Sequence, residues 1–227
     1  MLFLTGSPTI TYYNMDPSTI NKQGSKAWDL IEDAKNKKFV MSASVSRKRD
    51  EEDTYGLPNN HAYTILGTAV IKTPTGDDRA RLIRIRNPWG VDSYNGPWND
   101  NDNRWNAMTM PQVPDFKKAN DGTFFIEEND FVKAFSRFDI SEMRDDFIVK
   151  YTEVLGDDGS KKQFSINVMN KGPVNIGMEF YNPRMYPKAC KTGTTLAIAE
   201  LLLNGKIIKT LMAKDYEGFN NMYFENL

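Results

Sequence analysis

This chain of 227 residues is poor in the side chains that enzymes use most for nucleophilic and acid–base chemistry, with one cysteine, Cys190, and one histidine, His61. A single cysteine excludes an intrachain disulfide, which fits a reducing compartment. The net charge of −1 gives no electrostatic reason to expect binding to nucleic acid or a membrane surface. The apolar start Met1–Gly6 has no basic leader and is too short for a signal peptide or a membrane span. We therefore expect a cytoplasmic protein without nucleic-acid partners.

The composition is otherwise that of a folded globular protein, with 40% hydrophobic and 26% charged residues, enough for one or two domains. One substantial helix is predicted over Ser25–Lys38, because apolar residues recur at helical spacing, acids precede bases and its first residue can cap it. Trp28 and Ile31 should face the core. A strand over Phe39–Val45 and a solvated, charged loop over 47–53 are predicted to follow, and that loop could also border a substrate cleft.

A β-hairpin is predicted around the histidine. Its strands are His61–Lys72 and Arg79–Asn87, joined by the turn-forming residues of Thr73–Asp78. Pro88 ends the second strand, because proline cannot donate to a β-ladder. In an antiparallel hairpin, the first residue of one strand lies near the last residue of the other. We therefore expect His61 and Asn87 to be neighbours.

This pairing has a chemical use. A neutral imidazole can take a proton from a thiol if its ring is fixed, and an asparagine oxygen that accepts from one ring nitrogen fixes it. Trp89, two residues beyond Asn87, would cover that hydrogen bond and keep water from competing for it. A lone histidine at the start of an apolar strand is more often structural than catalytic, so both interpretations of His61 remain open. The register-matched Asn87 favours the catalytic one.

Several short motifs occur in one order along the first part of the chain: Asn60–Tyr63, Arg84–Gly90, Gly96–Asn101, Asp121–Phe125 and Phe135–Ile140. Together they resemble the second, histidine-bearing half of the calpain protease core, and the likeness runs over about residues 4–140. Calpains are cytosolic, papain-like cysteine proteases that hydrolyse peptide bonds in proteins. The resemblance implies that His61 is the general base, that Asn87 orients it and that Trp89 shields the pair.

The same resemblance exposes a missing nucleophile. In calpains the catalytic cysteine lies well before the histidine, in the other half of the core, whereas no cysteine precedes His61 here. Cys190 follows the histidine and has no helix N-terminus to lower its pKa, so we interpret it as incidental.

Two functions are compatible with that absence. The first is a fragment of a calpain-like intracellular cysteine endopeptidase, inactive alone, whose partner is the cysteine-bearing half of the core. The second is a non-catalytic calpain-like scaffold or protein-binding module. A cysteine-bearing half encoded in frame upstream of Met1 would establish the first, and its absence would favour the second.

A long loop over about 88–114 is rich in Asn, Asp, Gly, Pro and Trp, and Trp98 and Trp105 are predicted to anchor it to the core. Oxygen ligands for calcium are available in or near it from four carboxylates, Asp92, Asp100, Asp102 and Asp121. The alternative is that these residues only form turns in a polar loop.

The resemblance also implies a calcium site in this half of the core. Asp100 and Asp121 match two of its acidic positions, whereas Ser93 and Thr123 stand where two other acids are expected. Asp92, beside Ser93, would compensate in part. Because a hard cation needs several oxygen ligands, we expect weak calcium binding or none.

The chain from about Met143 is predicted to form strands without helices, at Phe147–Tyr151, Gln163–Val168, Val174–Phe180 and Leu196–Leu203. Asn204-Gly205 predicts a tight hairpin turn into Lys206–Ile208. This part resembles the β-sandwich that follows the calpain protease core, and the chain stops before such a sandwich would be complete, as in a truncated gene model. The predicted fold class is α+β, mostly antiparallel β, with a papain-like His/Asn subdomain over 1–142 and an incomplete calpain-type β-sandwich over 143–227.

Overall fold

The structure, a computed structural model, describes residues 7–13, 26–46, 54–150, 152, 163–179, 196–214 and 219–224. The chain divides into two compact units, Met1–Phe147 and Ile148–Leu227. Within the described ranges, no helix has the length and apolar character needed to cross a bilayer. The predicted loop over 47–53, the capping residue Ser25 and Cys190 lie outside the described residues.

The first unit is built on a six-stranded antiparallel sheet. Its strands are β1 (Thr9–Tyr13), β2 (Val40–Val45), β3 (His61–Lys72), β4 (Asp78–Arg86), β5 (Thr123–Glu127) and β6 (Arg137–Ser141). They lie in the order β1-β6-β2-β3-β4-β5, so β3, which begins with the histidine, is an interior strand. Two helices in the described part of this unit, α1 (Lys26–Asn36) and α2 (Glu128–Ala134), complete it. The predicted α+β class with mostly antiparallel strands is confirmed.

The sheet buries apolar side chains on both of its faces. A first cluster packs under the two helices and includes Ile31 of α1, Ile83 of β4 and Phe131 of α2. A second cluster lies under the loop after β4 and includes Leu82 and Trp98. Because successive residues of a strand point to opposite faces, the adjacent Leu82 and Ile83 are both fully buried, one in each cluster.

A β-bulge in β3 determines which residues reach which cluster. The pairing with β4 shifts by one residue between Ile65 and Gly67, which leaves an extra residue in β3. Odd-numbered residues before the bulge, such as Tyr63, therefore face the first cluster. Odd-numbered residues after it, such as Ile71, face the second.

The predicted elements of the first unit are confirmed with small shifts at their ends. The helix predicted over Ser25–Lys38 is α1 (Lys26–Asn36), with Ile31 fully buried and Trp28 packed against the first cluster. The strand predicted over Phe39–Val45 starts at Val40. The hairpin forms as predicted, with β4 running from Asp78 to Arg86. Trp98 and Trp105 are buried and anchor the long loop, their rings in edge-to-face contact.

The second unit contains two antiparallel strand pairs in its described part. Strands β7 (Val174–Glu179) and β10 (Phe219–Phe224) form one pair, and β8 (Leu196–Leu203) and β9 (Lys206–Lys214) form the other. The predicted turn is confirmed, since Asn204 and Gly205 have φ of 50° and 76°, the left-handed geometry of a tight hairpin.

Two predicted strands of this part of the chain are wrong. Neither Phe147–Tyr151 nor Gln163–Val168 forms a strand in the residues that the structure describes. Their alternating apolar residues favour a strand, but a strand also needs a neighbour for its backbone groups. Here Ile148 is 87% exposed, and no described segment pairs with either stretch.

Candidate active site

The hairpin brings the two predicted site residues into contact. His61 begins β3 and Asn87 directly follows β4, and both side chains lie on the sheet face that carries the first cluster. His61 Nε2 lies 2.9 Å from Asn87 Oδ1, a hydrogen-bond distance. The imidazole is half-buried, whereas Asn87 is fully buried. The predicted proximity of His61 and Asn87 is confirmed.

The orientation of the Asn87 amide assigns the proton on the imidazole. Its Nδ2 donates to Val91 O at 3.0 Å, and its Oδ1 accepts from the Trp89 N–H at 3.1 Å. Exchanging the oxygen and nitrogen would break both bonds, so Oδ1 is the atom that faces His61. An amide oxygen only accepts, which in the neutral imidazole places the proton on Nε2 and leaves the lone pair on Nδ1.

The backbone of Asn87 is held equally firmly. Its N–H donates to Gly122 O at 2.7 Å, and its carbonyl accepts from the Gly90 N–H at 3.1 Å to close a turn. Gly122 has φ of +83°, and a Cβ on it would lie 2.7 Å from Asn87 O. Only glycine can therefore occupy this position without moving Asn87. Sequence reasoning missed Gly122, for which the one signal was the turn-forming Asp-Gly dipeptide.

Two aromatic rings enclose the imidazole. The ring of Trp89 lies with its centroid 4.0 Å from that of His61, tilted by 37°. Tyr63, two residues along β3 and buried, meets the imidazole edge-on at 4.7 Å. The predicted packing of Trp89 beside the pair is confirmed. Because Trp89 is 61% exposed, its indole presents an apolar surface to solvent next to the half-buried imidazole.

The acidic residues predicted as calcium candidates each use one carboxylate oxygen to accept a backbone N–H. The pairs are Asp92 with Gly122, Asp100 with Ala119 and Asp121 with Thr123, at 2.8, 3.0 and 2.8 Å. Burial, together with the negative charges of Asp92 and Asp121, raises the pKa of Asp100 to about 6. Burial and the charge of Asp121 likewise raise the pKa of Asp92.

The predicted calcium candidates do not gather into one cluster of acids among the described residues. Asp100 Oδ1 and Ser93 Oγ are buried without hydrogen-bond partners, which would suit a cation. However, among the residues that the structure describes, no three His, Cys, Asp or Glu side chains meet in a group that could hold a metal. Calcium takes six to eight oxygen ligands. Asp102 instead accepts the Trp98 N–H at 2.8 Å, as the alternative of a turn-forming residue predicts.

Comparison with known proteins covers mainly the first unit. A family model described as "Calpain family cysteine protease" matches residues 1–142. The chain is 33% identical over 104 residues to Calpain clp-1 of Caenorhabditis elegans, covering 44% of the chain and 13% of that protein. It is 31% identical over 133 residues to the Calpain-2 catalytic subunit of Bos taurus, covering 56% and 19%. Calpain-8 of Rattus norvegicus is 31% identical over 132 residues, with 56% and 18% covered. The match thus spans less than a fifth of each of these relatives.

Replacing Asn87 by alanine should release the imidazole from a single tautomer. The Nε2–H form should dominate in the native chain, and its ratio to the Nδ1–H form should fall about fivefold in Asn87→Ala, as expected for losing a hydrogen bond worth roughly 1 kcal/mol. Ring ¹⁵N chemical shifts measure this ratio without assignment, because His61 is the one histidine in the chain. Asn101→Ala, at an exposed position in the following loop, is the control and should change nothing. A dominant Nδ1–H form in the native chain would contradict the assignment.

The Asp100 carboxylate should make stability depend on pH. Its folded-state pKa of about 6 lies above the ordinary 3.8, so its contribution is full below pH 4 and is lost as pH rises through 6. Asp100→Asn should therefore raise the free energy of unfolding by about 1–2 kcal/mol at pH 7.5, allowing for solvent screening, and hardly change it at pH 4. Urea denaturation at the two pH values measures the difference. Asp145→Asn, the same change at an exposed site, is the control, and an equal gain at both pH values would refute the prediction.

Proposed function

This chain belongs to the calpain family of cysteine proteases, and from that premise we propose that it carries the general-base half of a calpain-like endopeptidase site. The observation that supports this most is the 2.9 Å contact between His61 Nε2 and Asn87 Oδ1. It leaves the Nδ1 lone pair of His61 without a hydrogen-bond partner among the described residues, ready to take a proton. The nucleophile is a cysteine thiol supplied from outside these 227 residues.

In the proposed reaction, Nδ1 of His61 takes the thiol proton and the ring becomes an imidazolium. The thiolate attacks the peptide carbonyl carbon, and Nδ1–H then protonates the leaving amine, so that an acyl-enzyme remains. Nδ1 next takes a proton from water, whose oxygen attacks the acyl carbon, and the proton returns to the departing thiolate. Nε2–H stays on Asn87 Oδ1 throughout, because a neutral acceptor suits both the imidazole and the imidazolium.

The surroundings of the His61–Asn87 pair protect its hydrogen bond in the proposed site. Trp89 limits the access of water to the bond between His61 and Asn87, with its exposed face towards the substrate. On the strength of the family match, we also propose protein substrates and a cytoplasmic location. We further propose that residues 1–142 are part of the protease core and that residues 143–227 are an incomplete β-sandwich.

For calcium we propose weak binding or none. Each of the three carboxylates, Asp92, Asp100 and Asp121, already accepts a backbone N–H, and Ser93 and Thr123 add no charge. Isothermal calorimetry at millimolar calcium should detect at most a weak site, with a dissociation constant of about 10⁻⁴ M or above. Heat consistent with a micromolar site would contradict this, and loss of that heat in Asp100→Asn would locate the ion.

A second function is favoured by one feature of the sequence, the absence of any cysteine before His61. A calpain-like chain without a nucleophile could serve as a scaffold or protein-binding module that retains the fold but not the reaction. The coding sequence upstream of Met1 separates the two functions. A cysteine-bearing half encoded in frame there supports the protease, and its absence supports the scaffold.

The isolated chain should not cleave peptides above background. Water has a pKa far from that of imidazole and is not held in place as a thiol would be, so covalent catalysis is lost. The oxyanion donors of the other half are also missing, and each is worth about a hundredfold or more in rate. A fluorogenic peptide assay of the purified chain, with and without an added cysteine-bearing half, measures both effects.

The matched variants for that assay are His61→Ala and Cys190→Ser. With the cysteine-bearing half added, His61→Ala should abolish the activity and Cys190→Ser should leave it intact. Thiol-sensitive activity in the 227-residue chain alone, lost in Cys190→Ser, would overturn both the proposed half-site and the incidental role of Cys190.

A further inference from the structure

Two backbone segments beside the proposed active site are fastened to each other. The segment that leads into β3 contains Tyr55 and Gly56, and the segment that follows the Asn87 turn contains Ser93 and Asn95. The Asn95 N–H donates to Tyr55 O at 3.0 Å. Gly56 has φ of +70°, and a Cβ on it would lie 2.5 Å from Ser93 O. The two segments are thus in direct backbone contact.

Tyr55 holds an unusual backbone conformation through its side chain. Its φ of 57° and ψ of 29° lie in the left-handed region, which is unfavourable for an aromatic residue. Its hydroxyl donates to Asp130 Oδ1 on α2 at 2.6 Å, and that oxygen also accepts from Lys133 Nζ at 3.0 Å. Asp130 is only 8% exposed. The ring of Tyr94 supports Tyr55 edge-on at 5.8 Å. Strain of this kind persists only where the surroundings enforce it.

The hydroxyl of Tyr55 is a donor at every physiological pH. Burial and the hydrogen bond to Asp130 raise the pKa of Tyr55 to about 12, so that the phenol keeps its proton. The contact between the loop and α2 therefore does not switch with pH.

Both segments are short and firmly held between Tyr55 and the pair. On the histidine side, Leu57 is fully buried, so the chain has little freedom before His61. On the asparagine side, Asn87 Nδ2 donates a hydrogen bond to Val91 O, which fixes the chain before it reaches Asn95. A movement of one segment against the other would thus change the distance between His61 and Asn87.

We propose that Tyr55 is a positioning residue for the His61–Asn87 pair. Through its hydroxyl on Asp130 and its carbonyl on Asn95, it holds the two segments at the separation at which the imidazole–amide hydrogen bond forms. It touches neither substrate nor reacting atoms, and it acts through the loops alone. Its catalytic consequence rests on the proposed function, whereas its effect on the His61 imidazole does not.

The test is Tyr55→Phe in the full chain, which removes the hydroxyl and keeps the ring. Solvent exchange of the His61 Nε2–H, measured by NMR, should accelerate roughly tenfold, because the Nε2–Oδ1 bond forms less of the time. Tyr13→Phe, the same change at a 64% exposed position of β1, is the control and should leave exchange unaltered. A loss of stability with unchanged His61 exchange would mean a merely structural role and would overturn the proposal.

Two variants of Asp130 test the same contact from the other side and serve if Tyr55→Phe does not fold. Asp130→Asn keeps an oxygen acceptor for the Tyr55 hydroxyl, so His61 exchange should stay near the native rate. Asp130→Ala removes the acceptor and should accelerate exchange as Tyr55→Phe does. Equal exchange in the two Asp130 variants would overturn the proposal.

Peptidase assays with an added cysteine-bearing half separate this inference from the proposed function. Tyr55→Phe should lower kcat several-fold with little change in KM, since the residue does not touch substrate. If the native chain gives no activity in that assembly, the protease proposal fails, while the NMR comparison still decides the role of Tyr55. If activity appears and Tyr55→Phe keeps full kcat, the positioning role fails and the protease proposal stands.

Discussion

An imidazole ring can rotate about two side-chain bonds, so the direction of the His61 lone pair depends on what receives the proton of its Nε2. Here the receiver is Asn87 Oδ1, at 2.9 Å, on a side chain that is fully buried. The Asn87 amide cannot rotate without giving up its bonds to Val91 and Trp89. A buried polar group left without a partner costs about 1–3 kcal/mol, so the arrangement resists change. The chemistry proposed for Nδ1 therefore depends on a hydrogen bond made by the opposite side of the ring.

A glycine lies at each of two close backbone contacts around the His61–Asn87 pair. Gly122 leaves room for the Asn87 carbonyl, and Gly56 leaves room for the carbonyl of Ser93. At each position a methyl group would fall within about 3 Å of a backbone oxygen, a distance that only movement of the backbone could relieve. The pair is thus positioned mainly by segments in close backbone contact, with Tyr55 as the side chain that joins them to α2.

Local patterns in the sequence were enough to predict the hairpin, α1 and the Asn204-Gly205 turn, because strand alternation, helical spacing and turn chemistry act within a few residues. The proximity of His61 and Asn87 followed from hairpin register alone. Strands β1, β5 and β6 and helix α2 were not predicted. For β1 and β6 the reason is distance, since they pair with each other across more than a hundred residues and no local pattern reveals such a pairing. Tyr55 was missed for the same reason, because its partner Asp130 is 75 residues away.

The two wrongly predicted strands after Met143 have the opposite origin. Apolar alternation at Phe147–Tyr151 and Gln163–Val168 met the local requirement of a strand, but pairing depends on a neighbour that no local pattern reveals. The bulge in β3 could not be predicted either. Leu66-Gly67 interrupts the alternation of the strand, but the two residues do not indicate which sheet face the following residues occupy.

That bulge constrains how this stretch of gene can change. Strand side chains repeat every two residues, and the extra residue at Leu66 puts the two halves of β3 out of phase by one. If the half beyond Gly67 keeps its place over the second cluster, loss of the single codon for Leu66 would remove the bulge and leave His61 on the face of Asn87, because Ile65 and Gly67 already pair with consecutive residues of β4. Loss of one codon between His61 and Ile65, with the bulge retained, would instead turn His61 to the opposite face and separate the base from its orienter without altering either residue. A single-codon loss in β3 is therefore tolerable at the bulge but not between the bulge and the histidine.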